Sequence, residues 1–217
     1  MTAIRAVIFD LDGTLLDTES LVIGTGSAIL ARHGVRDPAA LLTTLVGIDE
    51  AEGRQRLGRA LEGVIALAEF DRLWAQATTE AFAQGIPHRP GAAELLDRLR
   101  TMGMPRAIGT NSRTAGAIRK LRAAGLLHHF APDHIVGVDA AARPKPAPDI
   151  FLEAARRLGA APQDCLVFED SDAGVGAALA AGMRVVQVPD MSPAPDRAAH
   201  VVADSLVAGA RAAGLIA

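Results

Sequence analysis

The chain has 217 residues, 50% hydrophobic and 22% charged, enough apolar material for one sizeable core with room for a small inserted module. That composition excludes a disordered chain, and 22 basic against 25 acidic residues give a formal net charge of −3, which offers no global positive field to nucleic acid or an anionic membrane surface. A single cysteine, Cys165, excludes an intramolecular disulfide, no apolar run suggests a membrane span, and the N-terminus lacks the pattern of a secretory signal, so a cytoplasmic monomer is the default expectation.

Ala6-Val7-Ile8-Phe9 is a continuous apolar run that ends at Asp10 and is followed by Gly13, the pattern of a strand buried on both faces with a polar tip. The pattern then turns helical throughout, over Ser20 to His33, Pro38 to Leu45, Asp49 to Leu61 and Leu67 to Ala83, with Gly34, Gly47 and Gly63 as punctuation. A breaker-rich segment from Gly85 to Gly91 restores an alternation of predicted helices (Ala92 to Met102, Thr114 to Ala124, Asp149 to Leu158, Ala173 to Ala181) and predicted strands (Pro105 to Gly109, Cys165 to Phe168, Arg184 to Val188). His134 to Val138 and His200 to Ala203 are weaker strand candidates. The predicted fold class is α/β, a Rossmann-like doubly wound parallel sheet over 1–16 and 87–217, with an all-α insert over 17–86 after the first strand.

The carboxyl ends of strands in such a sheet gather along one crevice, and several of the predicted ends carry polar groups. Asp10-Leu11-Asp12-Gly13-Thr14 sets two carboxylates two residues apart, so that one can attack while the other moves protons; the alternative is a pair of N-capping aspartates. Glu169-Asp170-Ser171-Asp172-Ala173-Gly174 adds further acid, a cluster that calls for a hard cation on oxygen ligands, for which Mg²⁺ is suited, while Ser171 or Asp172 can also cap a helix. Thr110-Asn111-Ser112 opens a helix, where it can hold a phosphoryl group or serve as a plain cap. Lys145, one of only two lysines beside Lys120, is stiffened by Pro144 and Pro146 as either a fixed cation or a solvated surface residue. Cys165, the histidines His128, His129 and His134, and the Phe70/Trp74 pair read as packing or surface residues.

With those segments in this order the sequence resembles the haloacid dehalogenase superfamily, and within it the phosphatase-like branch, close to β-phosphoglucomutase, that carries a helical cap after the first motif. The resemblance implies Asp10 as nucleophile and Asp12 as general acid/base. It further implies a Mg²⁺ held by Asp10, the Asp12 backbone carbonyl and Asp170 with Glu169 in support, and a phosphate clamp of Thr110, Asn111 and Lys145, the last also catalytic. The cap over 17–86 would meet the substrate through Gly47-Ile48-Asp49-Glu50, with Arg54 a turn further on; the alternative is a plain turn with Asp49 as a helix cap. The implied activity is phosphomonoester hydrolysis on a small phosphorylated metabolite, such as a sugar phosphate or phosphoglycolate, through an aspartyl phosphate. Departures from the mutases support this choice: Val22 stands where their cap histidine does, and 17–86 contains no lysine. A phosphosugar mutase is the alternative enzyme, and a phospho-acceptor regulator the alternative outside enzymes.

Overall fold

The structure, a computed structural model, describes residues 3–46, 48, 50–191 and 199–217. In chain order its elements are β1 (Ala6–Phe9), α1 (Thr18–Arg32), α2 (Pro38–Thr43), α3 (Glu50–Ala60), α4 (Leu67–Gln84), α5 (Ala92–Thr101) and β2 (Arg106–Gly109). There follow α6 (Thr114–Ala123), β3 (Ile135–Val136), α7 (Asp149–Leu158), β4 (Cys165–Glu169), α8 (Asp172–Ala180), β5 (Arg184–Gln187), β6 (Val201–Val202) and α9 (Leu206–Ala212).

The strands of the described residues form one parallel sheet in the order β3-β2-β1-β4-β5-β6. Because successive side chains of a strand point to opposite faces, each apolar run feeds two cores. Ala6, Ile8, Ala107, Cys165, Val167 and Val185 join Phe151 and Ala154 of α7 and Val175 and Ala178 of α8 on one face. Their neighbours Phe9 and Phe168 stack at 5.1 Å on the other, where Gly209 of α9 lies against Val186 and Phe168. The predicted α/β class, with helices on both faces of a doubly wound parallel sheet, is therefore the observed one. Element ends differ from the sequence expectation where hydrogen bonding decides them. Pro105 lies outside β2, its carbonyl accepting from Val7 N at 3.0 Å, and the two weaker strand candidates shrink to the two-residue β3 and β6.

The chain divides into two compact units. Among the described residues the α/β unit takes in 3–17, 87–190 and 199–217. Within it the outgoing and returning chain lie side by side, Asp17 N donating to Pro87 O and Arg89 N to Leu15 O. The helical unit, Thr18–Ile86, has its own core of Ile29, Leu30, Leu42, Leu57, Leu61 and Phe70. Trp74 packs on Phe70 there and donates its indole N–H to Val22 O at 2.7 Å.

His129 is buried in the α/β unit, 5% exposed and 4.0 Å from the ring of His128. Burial first, then His128 and the guanidinium groups of Arg106 and Arg100, push it down to about 4 from an ordinary value of 6.5, against a weaker pull from Asp97. A histidine held neutral in the fold leaves the unfolded chain the better proton acceptor across that window. Stability is therefore lost as pH falls through 6.5 towards 4 and is unaffected above it. In urea unfolding at pH 7 and pH 4.5, His129→Leu is expected to lose about 1–2 kcal/mol less on acidification than the parent protein does.

Candidate active site

The strand order reverses about β1, which runs between β2 and β4, and in open α/β sheets ligands bind beyond the carboxyl ends of the strands at such a switch point. Phe9 is in register with Ile108 on one side and Phe168 on the other, so the residues next in line on the three strands, Asp10, Gly109-Thr110 and Glu169, emerge side by side. Asp10 N donates to Phe168 O at 2.9 Å, which fixes where the first loop begins.

Lys145 reaches into this crevice with a side chain only 3% exposed. Its Nζ donates to Asp10 Oδ1 at 2.5 Å and to Glu169 Oε1 at 2.6 Å, and sits 4.6 Å from the ring centre of Phe151. A surface role for Lys145 is thus replaced by a buried one. The lysine is held from its backbone, since Asn111 Oδ1 accepts from Lys145 N at 2.9 Å and Asn111 Nδ2 donates to Lys145 O at 3.4 Å. Glu169 is fully buried and occupied on both oxygens: Oε2 accepts from the backbone N–H of Asp170 and of Ser171 and from the Ser171 hydroxyl, all at 3.0 Å. Gly174 makes room for it, because a Cβ there would fall on Glu169 Oε1. Ser171 also caps α8, its hydroxyl accepting from Gly174 N at 3.1 Å.

The electrostatics describe a site short of positive charge. Burial, joined by the Glu169 and Asp12 carboxylates, pushes Asp10 up to about 7 despite the pull of Lys145. Burial works against the Lys145 ammonium, but Asp10 and Glu169 outweigh it and raise the lysine above its ordinary value. Asp170 completes the set, with one ligand oxygen each from Asp10, Glu169 and Asp170 lying within 4.8 Å of one another. Thr14 donates to Asp170 Oδ1 at 2.8 Å. Gly13, at φ +84°, brings the first loop so close that a Cβ would stand 2.6 Å from Asp170 Oδ2. One ammonium facing three buried carboxylates leaves an excess of two negative charges when all are ionised, on a set of oxygen donors. That is the donor chemistry and the charge of a site for a hard divalent cation.

The Asp12 carboxylate, though only two residues from Asp10, has different partners. Lys120 Nζ donates to its two oxygens at 2.7 and 2.8 Å, Ser112 Oγ donates to Oδ2 at 2.8 Å, and Lys120 Nζ also reaches Ser112 Oγ at 3.0 Å. Thr110, 1% exposed, accepts from Ser112 N at 3.1 Å and so shapes the same turn. Of the residues singled out from the sequence, Asp10, Asn111, Lys145, Glu169 and Asp170 form one hydrogen-bonded cluster together with Thr14, and Asp12 and Thr110 a second one with Lys120 and Ser112. Thr14 stood inside the first motif and Ser112 inside the second; Lys120 carried only the signal of being the other lysine. Gly47 and Asp49 lie outside the described residues, α3 starts at Glu50, and Arg54 pairs with Asp71 at 2.8 Å within the helical unit.

Comparison with known proteins agrees with this geometry. A family described as haloacid dehalogenase-like hydrolase matches residues 4–182. Hexitol phosphatase A of Escherichia coli K12 is 37% identical over 184 residues, spanning 85% of this chain and 82% of its own. Fructose-1-phosphate phosphatase of the same organism is 35% identical over 187 residues, spanning 84% and 95%. Among solved structures, a haloacid dehalogenase family hydrolase from Deinococcus radiodurans R1 with bound phosphate and sodium superposes with a TM-score of 0.82 at 32% identity, covering 100% of this chain and 99% of that one. The strand tips, the acidic cluster with its buried lysine and these likenesses converge: the chain belongs to the haloacid dehalogenase-like hydrolases.

Proposed function

We propose that the protein is a Mg²⁺-dependent phosphomonoester hydrolase that acts on a small phosphorylated metabolite, a sugar phosphate or phosphoglycolate, through an aspartyl phosphate on Asp10. The observation that carries this reading is the buried Lys145 donating to both Asp10 and Glu169 beside Asp170, a nucleophile candidate among three buried carboxylates that share one ammonium. The sugar phosphatases among the relatives support the substrate class.

On this reading a carboxylate oxygen of Asp10 attacks phosphorus as the ester P–O bond breaks, and Asp12 gives its proton to the departing alkoxide. Asp12, now a carboxylate, takes a proton from water as that water attacks the same phosphorus. The acyl phosphate P–O bond breaks and the Asp10 carboxylate returns. Lys145 supplies fixed positive charge where phosphoryl oxygens gain negative charge, with Thr110 and Asn111 as its partners in the clamp. Asp10, Asp170 and the Asp12 carbonyl, with Glu169 in support, would hold a divalent cation, which would supply the positive charge that offsets the repulsion between phosphate and carboxylate. The helical segment 17–86 takes the part of a substrate-selecting cap, with Gly47, Glu50 and Arg54 as its candidate contacts.

The test is free-phosphate release from a panel of hexitol phosphates, fructose 1-phosphate and phosphoglycolate in Mg²⁺. Chelation is expected to lower turnover at least about 100-fold, and added Mg²⁺ to restore it. Interconversion of sugar phosphate isomers without phosphate release would assign a mutase instead.

A further inference from the structure

The chain contains two lysines, and both end in the site on different aspartates of the first motif: Lys145 on Asp10, Lys120 on Asp12. Lys120 is in the last turn of α6, where a basic side chain ordinarily serves the helix dipole or a solvated face. Instead its ammonium is held by three oxygens, two from Asp12 and one from Ser112. The side chains of Lys120 and Asp12 are 20% and 29% exposed, so the pair is neither an open surface contact nor sealed in the core. The arrangement is a closed triangle: Ser112 donates to Asp12 while accepting from Lys120, and Ser112 N is in turn fixed on Thr110 Oγ1. A carboxylate gripped at both oxygens by one ammonium, and at one of them by a hydroxyl, cannot rotate without losing three hydrogen bonds.

We propose that Lys120 is a positioning residue for proton transfer. It holds the Asp12 carboxyl on the β2–α6 side of the crevice, apart from the Lys145, Asp10 and Glu169 set: in the acid form the proton sits on Oδ1 in place of the Lys120 contact there, while Oδ2 stays held by Lys120 and Ser112, so that Asp12 presents one orientation to the leaving oxygen. The inference rests on the proposed hydrolase reading, and on Asp12 as its acid. In this role Lys120 acts on the reaction through Asp12. Proton transfer by a placed side chain contributes about 10²–10⁴-fold, and misplacement by an ångström forfeits much of that.

The test separates orientation of an acid from general damage by varying the leaving group. kcat/KM reports the steps through cleavage of the ester bond, and in that cleavage an alkoxide needs a proton whereas p-nitrophenolate does not. Lys120→Met is expected to lower kcat/KM for fructose 1-phosphate about 10–100-fold and to leave kcat/KM for p-nitrophenyl phosphate within about 3-fold. Lys120→Arg, which can still grip both oxygens, is expected to recover most of the loss. In an Asp12→Ala background, Lys120→Met is expected to cost nothing more on either ester, as for two residues that act as a unit. An unchanged ratio between the two esters in Lys120→Met, whether both rates hold or both fall, would overturn the proposal, as would a further loss in the Asp12→Ala background. If Asp12→Ala itself leaves the ratio unchanged, the assignment of Asp12 as the acid falls first, and the role given to Lys120 falls with it.

Discussion

Asp10→Asn is expected to lower kcat/KM on every phosphate ester the protein hydrolyses by at least about 10⁴-fold while leaving the fold intact. The two effects separate because the substitution changes one atom. An asparagine carbonyl oxygen can still accept from Lys145 Nζ, now 2.5 Å from Asp10 Oδ1, and the backbone bond from residue 10 to Phe168 O is untouched. What is lost is the charged oxygen able to bond to phosphorus. The substitution also removes one of three carboxylates that compete for one ammonium, so in the absence of a divalent cation thermal stability should hold or rise. Acid-quenched turnover mixtures of the parent enzyme should carry a phosphoryl group on the peptide containing Asp10. Turnover by Asp10→Asn at a tenth of the parental rate or more would place the nucleophile elsewhere.

The parts of this molecule that could be read from sequence are those in which local pattern and global placement say the same thing. Ala6-Val7-Ile8-Phe9 reads as a doubly buried strand because all four residues are apolar, and all four are buried, two feeding each core. Asp10, Lys145, Glu169 and Asp170 stand out by convergence: capping or surface exposure accounts for each alone, but not for polar groups at several strand ends that gather in one crevice. Lys120 had a local reason: a basic residue late in an amphipathic helix is ordinary, and only a partner 108 residues earlier in the chain makes it otherwise. For Asn111 the resemblance implies a phosphate ligand, while its place after a strand leaves a plain cap open; neither reveals that its amide spans the backbone of Lys145, 34 residues further on. Glu169 illustrates the same limit. Its position was legible, but one oxygen is turned back onto the N–H groups of its own turn, an orientation set by the space Gly174 leaves. His129 lay in a segment without periodicity, and its burial follows from packing that no repeat announces.

Lys145→Met should be the most destabilising single change in the site, and the physical reason also tells how to recognise it. The methionine keeps the apolar stem against Phe151 and removes the ammonium, so Asp10 and Glu169, whose side chains are 10% and 1% exposed, face each other with no cation between them. Breaking a buried pair by removing one partner costs about 3–5 kcal/mol, a large share of the 5–15 kcal/mol that a domain commonly has, and here one removal strands two carboxylates. Arginine is not a substitute, because its planar fork cannot reproduce a point charge shared between two acceptors in a closed space, so Lys145→Arg is expected to lose stability as well. Activity on phosphate esters should fall by about 10³-fold or more for want of fixed positive charge at the phosphoryl oxygens. The stability loss has a specific signature. Because its cause is unpaired carboxylate rather than lost packing, Asp10→Asn in the Lys145→Met background should restore at least about 1 kcal/mol in urea unfolding, although each change alone is expected to lower turnover. If the double variant is instead no more stable than Lys145→Met, the cost lies in the packing of residue 145, and the electrostatic account of this cluster is wrong.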